Sequence, residues 1–376
     1  MKHKVLITGG AGFIGSHLAR LLLRRGYTVS ILDNFSPQIH GGITELPPDL
    51  RGDVELFPGD IRDADLCARA LAGKTALVHL AAETGTGQSM YRVRHYSDVN
   101  VGGTSAVMES LLSGRFSIEC MVAASSRAVY GEGATLCAEH GLVYPKQRER
   151  AALEAGDFEP KCPVCGRDTA LTATPEAAPF QPSSFYGLTK QVQEQMTLLY
   201  APAVGMNAFA LRYQNVYGPG QSLKNPYTGI LAIFSNLARQ NRPVNIFEDG
   251  KESRDFVFVD DVVEATARCL EAPPQGPISL NVGTGTPVNV SQVVESILSY
   301  FGSSSSISVT GAFRLGDIRH NCADISRIKS VLDFAPAWSF AKGLRSFLDW
   351  ASAQPIEDQG YDKSLAEMRE AGLMHG

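Results

Sequence analysis

No apolar run in this 376-residue chain approaches the ~18 residues that a membrane-spanning helix needs. The opening residues, Met1 to Val5, lack the basic start and apolar stretch of a secretory signal, so a cytoplasmic location is expected. Basic charge is not in excess: 34 Lys and Arg stand against 39 Asp and Glu, a net charge of −5. Without a basic stripe or a basic cluster interleaved with aromatics, the pattern excludes nucleic acid and an anionic membrane as partners. Cysteine is sparse; seven residues are not a disulfide framework in a chain of this length. Cys67, Cys120, Cys269 and Cys322 are scattered through apolar or helical contexts and read as core thiols. No internal repeat is present. The remaining composition, 44% hydrophobic and 19% charged, is that of a globular protein with one two-lobed domain or two ordinary ones.

The first third alternates short apolar runs with helical patterns. Val5–Ile7, Val29–Leu32, Ala76–Leu80 and Ile118–Ala123 read as strands, and Ser16–Arg25 as a helix with its leucines on one face. Such alternation predicts an α/β fold with a parallel sheet covered on both faces. The period is lost over residues 132–182, an insertion too long for a simple connection. Helical patterning returns near Ser184 and a strand follows at Ala208–Tyr213. From Gly218 onward, glycines, prolines and shorter elements predict a smaller mixed α/β lobe. The polar residues from Ile356 read as a mobile tail.

Two motifs carry chemistry. Gly9, Gly12 and Gly15, with Phe13 and Ile14 between them, follow the first strand and open the first helix. Such a turn lets backbone approach a pyrophosphate and sets it at a helix N-terminus. Asp33 ends the second strand at the distance expected of a carboxylate that accepts from ribose hydroxyls, which favours NAD over NADP. The alternative is a glycine-rich turn that binds nothing. Tyr186 and Lys190, four apart, share one helix face. A neighbouring ammonium and a cationic nicotinamide both favour a phenolate, which then serves as a base toward a sugar hydroxyl. Alone, Tyr-x-x-x-Lys is common on exposed helices; beside the glycine cradle it is a strong signal.

With these motifs, the chain resembles the extended short-chain dehydrogenase/reductase family, specifically its nucleotide-sugar epimerases and dehydratases. Further matching stretches are Gly59-Asp60-Ile61-Arg62, His79-Leu80-Ala81-Ala82, Ser125-Ser126 ahead of Val129-Tyr130-Gly131, Leu211 to Gly220, Arg254 to Val257, and Arg314-x-Gly316-Asp317. The resemblance covers nearly all of the chain outside 132–182. It implies a Rossmann-like doubly wound parallel sheet and an NAD cofactor held by the glycine turn, Asp33, Asn34, Asp60, Ile61, Leu80, Ala81, Ala82, Tyr186 and Lys190. It implies Ser126, Tyr186 and Lys190 as catalytic residues. It implies a nucleotide-diphosphate sugar held by Ser125, Ser126, Asn215, Arg254 and Arg314. Arginine suits phosphate because its planar fork donates paired hydrogen bonds; the alternative for either arginine is a surface ion pair. Glu83, just past Ala82, is read as a sugar contact or second acid/base, or else as a solvated loop carboxylate.

Within the family, 4,6-dehydratases carry an Asp-Glu pair just after the catalytic hydroxyl residue. Here Arg127 and Ala128 follow Ser126, which favours redox epimerisation through a transient 4-keto sugar. The stretch Gln214–Leu223, then Asn225 to Ile230, and the cysteine-bearing insertion look most like the dTDP-L-rhamnose 4-epimerase branch, which interconverts dTDP-L-rhamnose and dTDP-6-deoxy-L-talose. UDP-hexose or UDP-uronate 4-epimerases, a dehydratase, a decarboxylase, a reductase and a non-catalytic NAD-sensing protein remain as alternatives.

In the insertion, Cys137-x-x-His140 and Cys162-x-x-Cys165 supply two closely spaced pairs of ligands, the usual construction of a tetrahedral structural zinc site. The alternative is unconnected thiols and a surface histidine. Both ends of the insertion adjoin the reacting centre, so a lid over the sugar pocket is expected. The resulting division is a cofactor domain over 1–131 and 183–217, a zinc-binding lid over 132–182, a sugar-binding lobe mainly over 218–350, and a tail over 351–376. The resemblance also implies a homodimer, formed through helices near Val99–Leu112 and Phe185–Tyr200.

Overall fold

A computed structural model describes residues 2–113, 116–225, 227, 229–356 and 360–376. Two residues of the branch motif, Pro226 and Thr228, and tail residues 357–359 lie outside the described residues. Seven parallel strands form the central sheet: β1 (Lys4–Thr8), β2 (Thr28–Asp33), β3 (Val54–Pro58), β4 (Ala76–His79), β5 (Cys120–Ser126), β6 (Asn207–Tyr213) and β7 (Pro277–Val282), in the order β7-β6-β5-β4-β1-β2-β3. The order reverses between β1 and β4, which opens a crevice at the carboxyl ends of the strands.

Burial on both faces explains why these strands read as continuous apolar runs. Val5 and Ile7 point to one core, which includes helix α1 (Phe13–Arg24) and the helix Val259–Glu271. Leu6, one residue out of phase, points to the other, formed by the helices Ala64–Leu71 and Gly103–Leu112, the second of these being α2. Helix α3 (Phe185–Tyr200) starts cleanly because the Ser184 hydroxyl accepts from the Gly187 amide. Among the described residues no helix is long and apolar enough to cross a membrane.

Two expectations change. Residues 277–282, inside the stretch read mainly as the second lobe, supply edge strand β7, paired in register from Pro277↔Ala208 to Val282↔Tyr213. The described part of the tail is docked rather than mobile. Helix α4 (Tyr361–Glu370) buries Leu365 and Met368, and Met374–His375 pairs antiparallel with Phe313–Arg314. The polar tail residues that suggested mobility occupy the outer face of an amphipathic helix.

The insertion forms a small antiparallel sheet, Gly141–Val143, Thr135–Cys137 and Ala170–Leu171, and the short helix Arg150–Glu154. Two buried guanidiniums fasten it to the second lobe. Arg148 donates to Glu132 (2.9 Å), Glu248 (2.8 Å) and the carbonyls of Phe158 and Asp317 (both 3.1 Å). Arg319 pairs with Glu159, Glu248 and Asp249.

Candidate active site

A cleft of about 450 Å³ lies over the carboxyl ends of the strands. Gly9, Gly12, Phe13, Ile14 and Gly15 line one end. The turn is tight: a Cβ on Gly9 would lie 2.8 Å from Ala81 backbone, and one on Gly15 would lie 2.5 Å from the Gly9 carbonyl oxygen. Gly9 also has φ of +70°, which favours glycine. Gly12 caps α1 with no side-chain hydrogen bond, leaving the first-turn amides facing the cleft for an anion. Asp33 accepts from the Ala11 and Phe35 amides, each at 2.9 Å, and keeps lone pairs for further donors.

Asn34, Asp60, Ile61, Leu80, Ala81 and Ala82 line the same end. Burial pushes the Asp60 carboxyl up, but hydrogen bonds from Arg62 and Asn34 outweigh it and bring it down to about 2. Behind Leu80, His79 is clamped between Thr8 (2.7 Å) and Thr104 (3.0 Å), and burial lowers its pKa to about 3. It is a neutral strut, fixing the strand end on which Ala81 sits.

Ser126, Tyr186 and Lys190 meet on the cleft wall. Pairing of Ser126 with Tyr213 sets the β5 end level with its neighbour, and the first turn of α3 carries Tyr186. The Lys190 ammonium nitrogen donates to the Ala124 carbonyl at 2.9 Å and lies 6.0 Å from the Tyr186 ring centroid. Burial raises the Tyr186 pKa, while a hydrogen bond with Ser126 and the Arg127 charge pull it back. Burial lowers Lys190 to about 7.

Glu83 lines the cleft at 7% exposure and sits 3.2 Å from His95, which removes the reading of it as a solvated loop carboxylate. Its backbone is tied to α3 by Asn100, which bonds both Glu83 and Thr189. Ser125 reaches the cleft, but its hydroxyl donates to buried Glu194 at 2.5 Å. Asn215 lines the cleft with its buried Oδ1 lacking a partner among the described residues, as does Gln221 with Oε1. A donor from a bound ligand satisfies such atoms.

Arg254 and Arg314 do not line the cleft. Both converge on Asp317, at 3.2 and 2.7 Å, and Arg254 also donates to the carbonyls of Ser253, Ile318 and Arg319. Burial opposes the Asp317 charge, but these arginines and Arg127 hold its pKa far below the usual carboxylate range. In this ligand-free arrangement the two arginines share one carboxylate, with Arg254 buried and Arg314 and Asp317 partly exposed.

The family described as "NAD dependent epimerase/dehydratase" matches residues 5–149 and 162–283. The chain belongs to that family. A curated relative, the dTDP-L-rhamnose 4-epimerase of Burkholderia thailandensis, is 38% identical over 353 residues, 93% of this chain and 95% of that protein. The structure of UDP-glucose 4-epimerase from Thermotoga maritima with UDP-glucose is similar at TM-score 0.74 and 26% identity, covering 93% of this chain and 98% of that one. The Thermus thermophilus UDP-glucose 4-epimerase complex with NAD is similar at 0.73 and 26%, covering 93% and 99%.

In this member of the epimerase/dehydratase family, no described residue of the insertion lines the cleft. It stands beside the pocket rather than over it, because Arg148 and Arg319 anchor it to the second lobe. Within it, Cys137, His140, Cys162 and Cys165 gather their ligand atoms within 4.8 Å of one another. Cys137 Sγ lies 3.6 Å from His140 Nδ1 and 3.7 Å from Cys165 Sγ, and Cys162 Sγ is 3.7 Å from the same nitrogen. A zinc tetrahedron with ordinary bond lengths has edges of about 3.5–3.8 Å. The remaining thiols differ in kind: burial pushes Cys67, Cys120 and Cys322 up to about 12, whereas hydrogen bonds from His140 bring Cys137 down to about 7.

Sequence reading missed Arg127, Tyr227 and the Thr84–Thr86 loop as cleft residues. Arg127 had one available signal: it follows the end of a parallel strand, where ligands of such sheets bind.

Proposed function

We propose that this protein is an NAD-dependent nucleotide-sugar 4-epimerase acting on dTDP-L-rhamnose and its C4 epimer. The convergence of Ser126, Tyr186 and Lys190 with a dinucleotide-sized glycine cradle in one cleft carries the reaction. Similarity to the Burkholderia enzyme over nearly the whole chain supports the substrate.

The tight Gly9–Gly15 turn, the open α1 N-terminus and Asp33 fit a dinucleotide. They would hold its pyrophosphate and ribose, with Asp60 and Ile61 at the adenine and Lys190 at the second ribose. NAD, when bound, supplies a reversible hydride acceptor. Tyr186 takes the proton from the sugar 4-hydroxyl, and Ser126 orients that hydroxyl. Arg127 favours the phenolate against the burial that opposes it. Once the resulting C4 ketone presents its other face, the bound cofactor would return hydride to that carbon, and Tyr186 would return its proton to the C4 oxygen, giving the epimer. Arg127 stands where a dehydratase of this family carries an acid, which supports epimerisation without loss of water.

The Cys137, His140, Cys162 and Cys165 cluster binds a structural zinc. Four protein ligands leave no open position for catalysis. The site fastens a segment whose only other buried apolar residue in that cluster is Val143. The protein acts as a homodimer through α2 and α3, which carry the exposed Leu112, Leu188 and Leu199.

Incubation with UDP-, dTDP-, GDP- and CDP-sugars tests the activity. The expected product is an epimer of dTDP-L-rhamnose with unchanged mass and no net cofactor reduction. Loss of water, loss of carbon dioxide or consumption of added NADH defeats the epimerase reading. Turnover of UDP-sugars alone defeats the assigned substrate.

A further inference from the structure

Two loops that flank the glycine cradle meet each other across it. The cradle follows β1, which lies between β4 and β2 in the sheet. The loop after β2 brings Ser36, Ile39 and His40 to the cleft, and the loop after β4 brings Thr84, Gly85 and Thr86. Gln38 stands on the short helix Pro37–His40 of the first loop, and Gln88 on Thr86–Ser89 of the second. Their side-chain amides pair reciprocally. Gln38 Nε2 donates to Gln88 Oε1 at 3.0 Å, and Gln88 Nε2 donates to Gln38 Oε1 at 3.2 Å. Neither residue lines the cleft, so the pair joins the loops without filling the space between them.

Each arm of this bridge is fixed at its base. Asp33, at the end of β2, accepts from the Ala11 and Phe35 amides, and His40 Nε2 lies 3.4 Å from its carboxylate. On the other arm, Gln88 is 5% exposed. The buried Tyr96 hydroxyl lies 3.1 Å from Gln88 Oε1 and 2.7 Å from the Thr84 carbonyl oxygen, which orients the Gln88 amide. The next residue, Ser89, accepts from the Tyr186 amide at 2.9 Å. The bridge is therefore continuous with the helix that carries Tyr186 and Lys190.

Strands β2, β1 and β4, the two loops and the amide pair close a ring around the cradle. A dinucleotide whose pyrophosphate rests on the Gly9–Gly15 turn is enclosed by that ring. Two neutral hydrogen bonds are weak enough to open and strong enough to slow escape.

We infer that Gln38 and Gln88 form a strap that retains NAD in the cleft through turnover. The inference rests on the reading of the protein as an NAD-dependent epimerase. Such an enzyme hands hydride back to the carbon it came from, so a cofactor that leaves midway strands the ketosugar and stops the cycle. Retention is thus a requirement of the chemistry, and this pair supplies it from outside the binding surface.

Dilution of the purified protein into alcohol dehydrogenase and ethanol, which trap released NAD as NADH, measures the release rate. Acid extraction measures NAD content. Gln38→Ala removes both hydrogen bonds and no cleft-lining side chain. Its NAD release is expected to be about 5- to 100-fold faster than the parent's, the range for losing two neutral hydrogen bonds, and its NAD content lower. Activity lost on dilution should return when NAD is added. Gln88→Ala should act alike, and the double variant should release NAD no faster than the singles, because all three lose one shared contact. Accelerations that multiply in the double variant overturn the inference. Gln38→Glu keeps an acceptor for Gln88 Nε2 and should fall between parent and Gln38→Ala; it carries the test if the Gln88 variants do not fold. Release at the parental rate in every variant also overturns the inference. If the parent neither carries NAD nor binds it when added, the NAD-dependent reading itself falls and the inference falls with it.

Discussion

Lys190 shows how one side chain carries both stability and chemistry. Its burial lowers its pKa from 10.5 to about 7. Between those values the unfolded chain holds a proton that the folded chain has released, so stability rises with pH across that window. The cost of burying the ammonium is fully present below pH 7 and is relieved toward pH 10.5. Lys190→Met should therefore flatten the rise in melting temperature between pH 7 and 9 relative to the parent; an identical slope in both proteins argues against this origin. Tyr186→Phe removes only the proton acceptor. We expect kcat to fall about 10²- to 10⁴-fold with the NAD content of the purified protein unchanged, read by absorbance; a variant with near-parental kcat excludes Tyr186 as the base. At this scale the sequence was informative wherever spacing alone puts groups together, as in Tyr186 and Lys190 on one helix face. It was silent on the pairing of the arginines, because no local pattern says which guanidiniums will find carboxylates.

The insertion illustrates the scale of elements. Its two cysteine-bearing pairs were legible because metal knuckles are short and local. Its location was not. Chain adjacency to Ser126 and Tyr186 suggested a lid, yet Arg148 and Arg319 bind carboxylates more than seventy residues apart in sequence and hold the segment to the second lobe. Arg148→Met leaves Glu132 and Glu248 buried and one ion-pair partner short. The expected loss is about 3–5 kcal/mol, measured by urea denaturation; a loss below about 1 kcal/mol would match an exposed pair instead. Joint replacement of Cys162 and Cys165 by serine should lower bound zinc and speed amide exchange within 132–182, while NAD content holds. Unchanged metal by elemental analysis rejects the zinc site.

For the whole molecule, the sheet and the tail extend beyond their expected boundaries. Strand β7 arrives after the chain has already entered the second lobe, and α4 returns to cover Ala312 with Leu365 and Met368. Tyr91 and Tyr227 both donate to Glu367 of α4, at 2.9 and 2.6 Å, so the tail also braces the Tyr227 edge of the cleft. The same scale decides assembly. Leu188 and Leu199 are 42% and 73% exposed on α3, an apolar pair without cover in one subunit. In the proposed dimer, replacing both by aspartate should shift sedimentation from dimer to monomer; a parent that sediments as a monomer refutes the dimer.

By itself the sequence determined the alternating α/β pattern, the glycine cradle, the Tyr186–Lys190 pair and the knuckle cysteines, because each depends on residues within about two turns or one strand-turn-helix unit. Only the tertiary structure decided that Arg254 and Arg314 meet Asp317, that Glu83 is buried beside His95, that the insertion stands beside the cleft, and that Arg127 faces it without a partner among the described residues. Those outcomes depend on which charges become neighbours once distant segments pack. Burial then makes each pairing, or its absence, energetically consequential.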